Sequence, residues 1–351
     1  MVKLMNEVQL HDVIKNICKQ RQLPGLSICI SDSSNRTITS ATGVRSISTN
    51  EPLVVTDRLR AGSITKILIA TLILKLQEQG IVHLEDTIEK HLPGILLKAD
   101  KVTIRELLNH RSGLPDYIWS DEEGTKFIQH AVSDLNTKYL PTELIQKIGE
   151  DNLQFEPGQD YNYSNSGYIL LGMIIEKCTG VSIQEALNHY IFSPLNLQNT
   201  YFPHEFAVDG PHAIGHSKVT NDFSELTEEI NAEFSMLNVS LIWTAGALIS
   251  VPLEINSMVK AIFEGHILSE ESLNEMFVFQ PINEENQYYG LGVHKYVLED
   301  NVQAIGHQGG IYGFEAVTLK FLDSGLYVTV MINQMPAGVV SIAEEIVQLI
   351  Q

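Results

Sequence analysis

Residues 61–80 read AGSITKILIATLILKLQEQG. From residue 63 to 79 this stretch predicts a long helix, which Gly80 closes. Gly62 permits a tight entry. Ser63 then sits at a helix start, where backbone N–H groups lack intrahelical partners and the positive end of the helix dipole is close by. Lys66 lies three residues on, on the same face and one turn away. A hydroxyl near a helix N-terminus with an amine in reach is a workable nucleophile–base pair. An N-capping serine followed by a solvated lysine carries the same pattern. The SxxK spacing recurs at Ser257 and Lys260, well inside a helical stretch, where it reads as structural.

Working outward, Val8, Leu10, Val13, Ile14 and Ile17 give a helical period over residues 6–20, broken by Leu23-Pro24-Gly25. Residues 26–30 read as a strand and 37–43 as its hairpin partner. From about 85 to 280 the pattern is mostly helical, interrupted by loops at 112–115 and 156–158. After about residue 286 the period becomes that of strands, at 289–297, 303–307, 315–322 and 326–333, and 339–350 is a closing helix. Strands at both ends with helices between predict an α/β (α+β) fold. One antiparallel sheet is built from both termini and flanked by helices, with a mainly helical lobe inserted. The expected unit is a single catalytic domain over 8–350. Its sheet lobe is drawn from 1–85 plus 286–351 and its helical lobe from 86–285.

The chain has 351 residues, of which 44% are hydrophobic and 19% charged, as in an ordinary globular protein with a full core. A formal net charge of −20 repels phosphate backbones, so nucleic acid is not expected as a partner. No run approaches the roughly 20 apolar residues of a membrane span. Cys18, Cys29 and Cys178 are too few for a disulfide framework and read as free thiols. The 12 histidines show no metal-ligand spacing, so no metal is expected. The N-terminus has no apolar signal core. If Met1 is the native start, a cytoplasmic protein is expected; a leader removed before it would make the protein periplasmic or secreted.

Two further segments carry chemistry. Tyr163-Ser164-Asn165 follows the Glu156-Pro157-Gly158 loop and feeds a helix beginning near Gly167. A tyrosine so placed can aim its phenol at a nucleophile. Its pKa, lowered by nearby cations, would let it accept and return a proton. Asn165 offers an amide to a substrate carbonyl or to the lysine. Gly306-His307-Gln308-Gly309-Gly310 lies between strands, where glycines let backbone approach a substrate closely. A free N–H there, with that of Ser63, would make a two-donor oxyanion hole. His307 could supply a positive or hydrogen-bonding group.

Taken in this order, the three segments resemble the serine β-lactamase and penicillin-binding-protein superfamily. They are most similar to its branch of class C β-lactamases, D-alanyl-D-alanine carboxypeptidases and related esterases. Supporting text includes Leu107-Leu108-Asn109-His110-Arg111-Ser112-Gly113-Leu114, Phe192-Ser193-Pro194-Leu195, Ala245 to Ser250 and Tyr289-Gly290-Leu291-Gly292-Val293. The resemblance covers about residues 8–350. It implies that Ser63 attacks a carbonyl while Lys66 and Tyr163 share general-base and general-acid duty. Asn165, His307, Gln308 and Gly309 would bind substrate, and the N–H groups of Ser63 and Gly310 would form the oxyanion hole. No cofactor is implied.

His307 stands where many relatives carry lysine, and Gln308 where a small hydroxyl residue often holds a substrate carboxylate. The expected function is therefore a serine hydrolase acting through an acyl-serine on an ester or amide of a small molecule or peptide. It would be an esterase, a D-amino-acid-type peptidase or a weak β-lactamase. The alternative is a non-catalytic relative binding ligands or partners on the same fold. An α/β-hydrolase is excluded by the absence of a GxSxG elbow.

Overall fold

Asn6 opens the first helix, α1 (Glu7–Arg21), with a reciprocal cap: its side chain accepts from the Gln9 N–H, and Gln9 accepts from the Asn6 N–H. The architecture is that of a computed structural model, which describes residues 5–118, 137–149, 153–203, 208–217, 238–282, 285–311 and 313–350. After α1 the chain enters a hairpin of β1 (Gly25–Ser31) and β2 (Thr37–Gly43), close to the expected boundaries. Asp32 holds the turn by accepting from the Ser34 and Arg36 N–H groups and from the Arg36 guanidinium.

The remaining strands of the main sheet come from the C-terminal part. They are β3 (Gln280–Pro281), β4 (Gln287–Tyr289), β5 (His294–Val297), β6 (Gln303–Ile311), β7 (Phe314–Phe321) and β8 (Tyr327–Ile332). The eight strands run in the order β2-β1-β8-β7-β6-β5-β4-β3, with antiparallel pairing throughout. The N-terminal hairpin thus joins the last strand, Leu26 opposite Ile332.

Two strand expectations change. The segment 289–297 is not one strand but two, broken at Gly290–Gly292. Gly292 has φ +71°, and a Cβ there would lie 2.7 Å from Ala70 Cβ and 2.8 Å from the Lys66 carbonyl oxygen. The close approach to the helix beneath causes the break. β6 runs past its expected end at His307 to Ile311.

Strand alternation sends side chains to two cores. Val317 and Leu319 of β7 join α1 and the closing helix α5 (Val339–Ile350) on one face. Ala316 and Phe314 face the opposite core, which contains α2 (Thr65–Glu78), α3 (Asn165–Thr179) and α4 (Pro252–Phe263). α2 is buried almost all round, from Thr65 through Leu74, so its apolar run is that of a core helix. The expected helix from residue 63 begins instead as a 3₁₀ turn, Gly62–Ile64, that leads into α2.

α4 docks directly on the sheet, with Asn256 Nδ2 donating to the Cys29 and Tyr327 carbonyls. The second SxxK pair lies on this helix. Ser257 Oγ donates to the Leu253 carbonyl, and Lys260 Nζ to the Asp32 carbonyl and Asn35 Oδ1, so both groups are spent on structure. Cys18 and Cys29 are buried free thiols, pushed up to about 12 by burial. Cys178 is half-buried, its Sγ 3.3 Å from His91 Nδ1. Among the described residues no single helix is long and apolar enough to cross a membrane.

Candidate active site

Gly62 has φ +54°, in the left-handed region. A Cβ at this position would lie 2.8 Å from Gly310 N and 2.9 Å from Gly309 C. One at Gly309 would lie 2.7 Å from Ser63 N. The Ser63 turn and β6 therefore meet backbone to backbone. β5 covers β6 only over Gln303–Gly306, so this contact occupies the edge of β6 beyond it. Thr65 Oγ1 fixes the turn by donating to the Gly62 carbonyl and accepting from the Leu248 N–H. Gly62→Ala combines a strained φ with a backbone clash, and we expect it to lower stability by about 2 kcal/mol. Urea unfolding measures this, and an unchanged midpoint would show that the turn relaxes without cost.

Lys66 is fully buried, and its Nζ lies 3.0 Å from Ser63 Oγ. It also donates to Asn165 Oδ1 at 2.9 Å and to the Ala245 carbonyl at 2.7 Å. Burial pushes the amine down to about 7, against the opposing pull of the Asp116 carboxylate. Asn165, in the first turn of α3, ties the two together. Its side chain accepts from Lys66, while its backbone N–H and Nδ2 donate to Asp116 Oδ2 at 2.6 and 2.8 Å. Asp116 Oδ1 takes the Ile118 N–H at 2.7 Å.

Tyr163 shares a hydrogen bond with Ser63. Its ring leans on His110 with centroids 4.2 Å apart, and Lys66 Nζ is 4.9 Å from its centroid. Burial holds the phenol well above the usual tyrosine range, and the Ser63 hydrogen bond only partly offsets this. The lowered pKa that would make Tyr163 a base is absent; near neutral pH the phenol keeps its proton.

Behind these groups lies a buried layer of rings. His110 Nδ1 accepts from the Ser164 N–H at 3.1 Å, and His110 Nε2 meets the Tyr289 hydroxyl at 3.2 Å. The same hydroxyl lies 2.9 Å from His307 Nε2, and His307 Nδ1 lies 2.5 Å from the Gln308 carbonyl. Burial drives His110 and His307 well below the ordinary histidine range, with His294 and Lys66 adding to the effect at both. His307 is thus neutral, and the positive group once open to it is not realised. Gln308 is exposed, its Cα opposite Val317 of the α1/α5 face, whereas His307 points the other way toward the helices.

Ser63, Lys66, Tyr163 and Asn165 thus share one cluster, with Gly309 and Gly310 beside the Ser63 turn. Asp116, Tyr289, His294 and the Ala245 carbonyl were not anticipated. Asp116 sits in a loop, and no local period marks it. Tyr289 stood in a segment read as a strand and as part of the family resemblance, with no role given to its side chain. Among the described residues no three His, Cys, Asp or Glu side chains converge as a metal-binding set would.

A family model described as Beta-lactamase matches residues 10–350. Penicillin-binding protein 4* of Bacillus subtilis (strain 168) is 28% identical over 293 residues, covering 80% of this chain and 62% of its own length. The chain spans less than two thirds of the length of the curated relatives it matches. A D-stereospecific amidohydrolase from Streptomyces sp. superposes with TM-score 0.83 at 30% identity, covering 93% of this chain and 95% of the other. A D-amino acid amidase from Ochrobactrum anthropi SV3, complexed with L-phenylalanine, superposes with TM-score 0.85 at 26% identity, covering 97% and 98%.

Proposed function

The chain belongs to the beta-lactamase family, and on that premise we propose that it is a serine hydrolase acting through an acyl-serine intermediate, with Ser63 as nucleophile and Lys66 as base. The observation that carries this is the set of partners around the Lys66 amine. Asn165 Oδ1 and the Ala245 carbonyl can only accept hydrogen bonds. A neutral amine has two hydrogens and one lone pair. Both hydrogens are taken by those acceptors, so the lone pair is left to Ser63 Oγ, 3.0 Å away. An amine lowered to about 7 is neutral in a large fraction of molecules near neutral pH.

The steps follow from this arrangement. Ser63 Oγ attacks the substrate carbonyl carbon and its proton passes to Lys66. The carbonyl oxygen becomes an oxyanion, received by the Ser63 and Gly310 N–H groups. Tyr163, holding its proton beside Ser63, gives it to the leaving oxygen or nitrogen and is reprotonated through Lys66. Water then adds to the acyl-serine and returns the enzyme.

The substrate class is an ester or amide of a small molecule or peptide, favoured over efficient β-lactam turnover. The amidases among the structural relatives support the amide, and neutral His307 supports an uncharged group beside β6. Fluorophosphonate treatment is expected to label Ser63 and not Ser257, read by peptide mass spectrometry. Alongside it, short esters, D-amino acid amides, D-alanyl-D-alanine peptides and a chromogenic cephalosporin are compared for turnover. Labelling at Ser257, or none, would overturn the assignment.

A further inference from the structure

The ring layer behind the site has a fixed hydrogen-bond direction. One end is the Ser164 backbone N–H, which can only donate, so His110 Nδ1 is the acceptor. A neutral His110 then carries its hydrogen on Nε2 and gives it to the Tyr289 oxygen. The other end is the Gln308 carbonyl, which can only accept, so His307 carries its hydrogen on Nδ1. Its Nε2 is a bare acceptor, filled by the Tyr289 hydroxyl hydrogen at 2.9 Å. With one proton on each ring, this arrangement satisfies both ends and also fills His307 Nε2. Adding a proton at His307 Nε2 would displace the Tyr289 hydroxyl hydrogen from that nitrogen and break the link as drawn. His294, with ring centroid 4.9 Å from that of His307, and the Lys66 amine also oppose a cation there.

Resting on the acyl-serine reading above, we infer that Tyr289 is a positioning residue: by linking His110 to His307 it occupies His307 Nε2 while the Gln308 carbonyl holds Nδ1, so the β6 side of the site accepts uncharged groups and discriminates against substrate carboxylates. A carboxylate needs a ring hydrogen or a charge. His307 offers neither, because its one N–H is spent on its own strand.

The direct test is ¹⁵N NMR of the imidazoles in the unmodified protein. His307 is expected as the Nδ1–H tautomer, neutral from roughly pH 5.5 to 8. An Nε2–H or doubly protonated ring in that range overturns the lock. The functional test uses two esters of one acyl group, with lactate and with lactamide as leaving groups. The unmodified enzyme is expected to favour the lactamide ester. In Tyr289→Phe the gap is expected to narrow roughly tenfold, chiefly through KM for the lactate ester, as a charge-assisted hydrogen bond becomes available. In the same variant the His307 signal is expected to move on adding lactate. A folded variant with the gap and the His307 signal both unchanged overturns the proposal. If neither ester is hydrolysed, the acyl-serine reading falls, and the tautomer in the unmodified protein still decides the lock.

Discussion

Replacing Ser63 with alanine is expected to cut kcat/KM roughly ten-thousand- to a million-fold, and Lys66→Met by nearly as much, because a nucleophile and its base act as a unit. The double variant should be scarcely worse than either single one. The geometry supports such coupling: Lys66 Nζ has one direction left after Asn165 and Ala245, and Ser63 Oγ lies along it. The pH dependence has a definite sign. Burial lowers the amine from its ordinary value to about 7, so it is charged below that pH and neutral above it. The kcat/KM should rise about tenfold per unit below pH 7 and level off above it. A flat profile from roughly pH 5 to 8, or a Lys66→Met variant keeping a tenth of the activity, would remove Lys66 as the base.

The contact between Ser63 and Lys66, the proposed nucleophile and base, was legible because both lie on one short helical turn, where spacing converts directly into contact. The sheet was legible for a similar reason: the hairpin 26–43 and the C-terminal strands carry alternating or apolar runs. What escaped depends on contacts between distant segments. Asp116 acts through Asn165, 49 residues away, and nothing in the local pattern of Ser112-Gly113-Leu114-Pro115-Asp116 announces that. The break between β4 and β5 comes from Gly292 pressing on α2, a packing event that periodicity does not record. The protonation states were the least accessible, since burial sets them. Tyr163 and His307 are chemically able to hold a charge. In the folded chain Tyr163 keeps its proton and His307 does not gain one.

Asp116→Asn separates positioning from electrostatics. Asp116 is buried and accepts from the Asn165 N–H, Asn165 Nδ2 and the Ile118 N–H. An asparagine amide can keep only some of these bonds and turns a donor toward others, so stability should fall by about 2–3 kcal/mol. Asn165 then loses the anchor that aims its oxygen at Lys66, and misplacement of this kind costs on the order of a hundredfold in the plateau rate. The shape of the pH profile should change in the opposite sense. The Asp116 anion favours the charged amine, so its pull raises Lys66 against the effect of burial. Without it the amine loses its proton more readily, and the acid limb of kcat/KM should move to lower pH. A structural defect alone would lower the plateau and leave the limb where it was. Profiles of both proteins over roughly pH 5 to 8.5 on one uncharged ester decide the point. A limb that stays in place or moves to higher pH would show that Asp116 holds Asn165 without tuning the base.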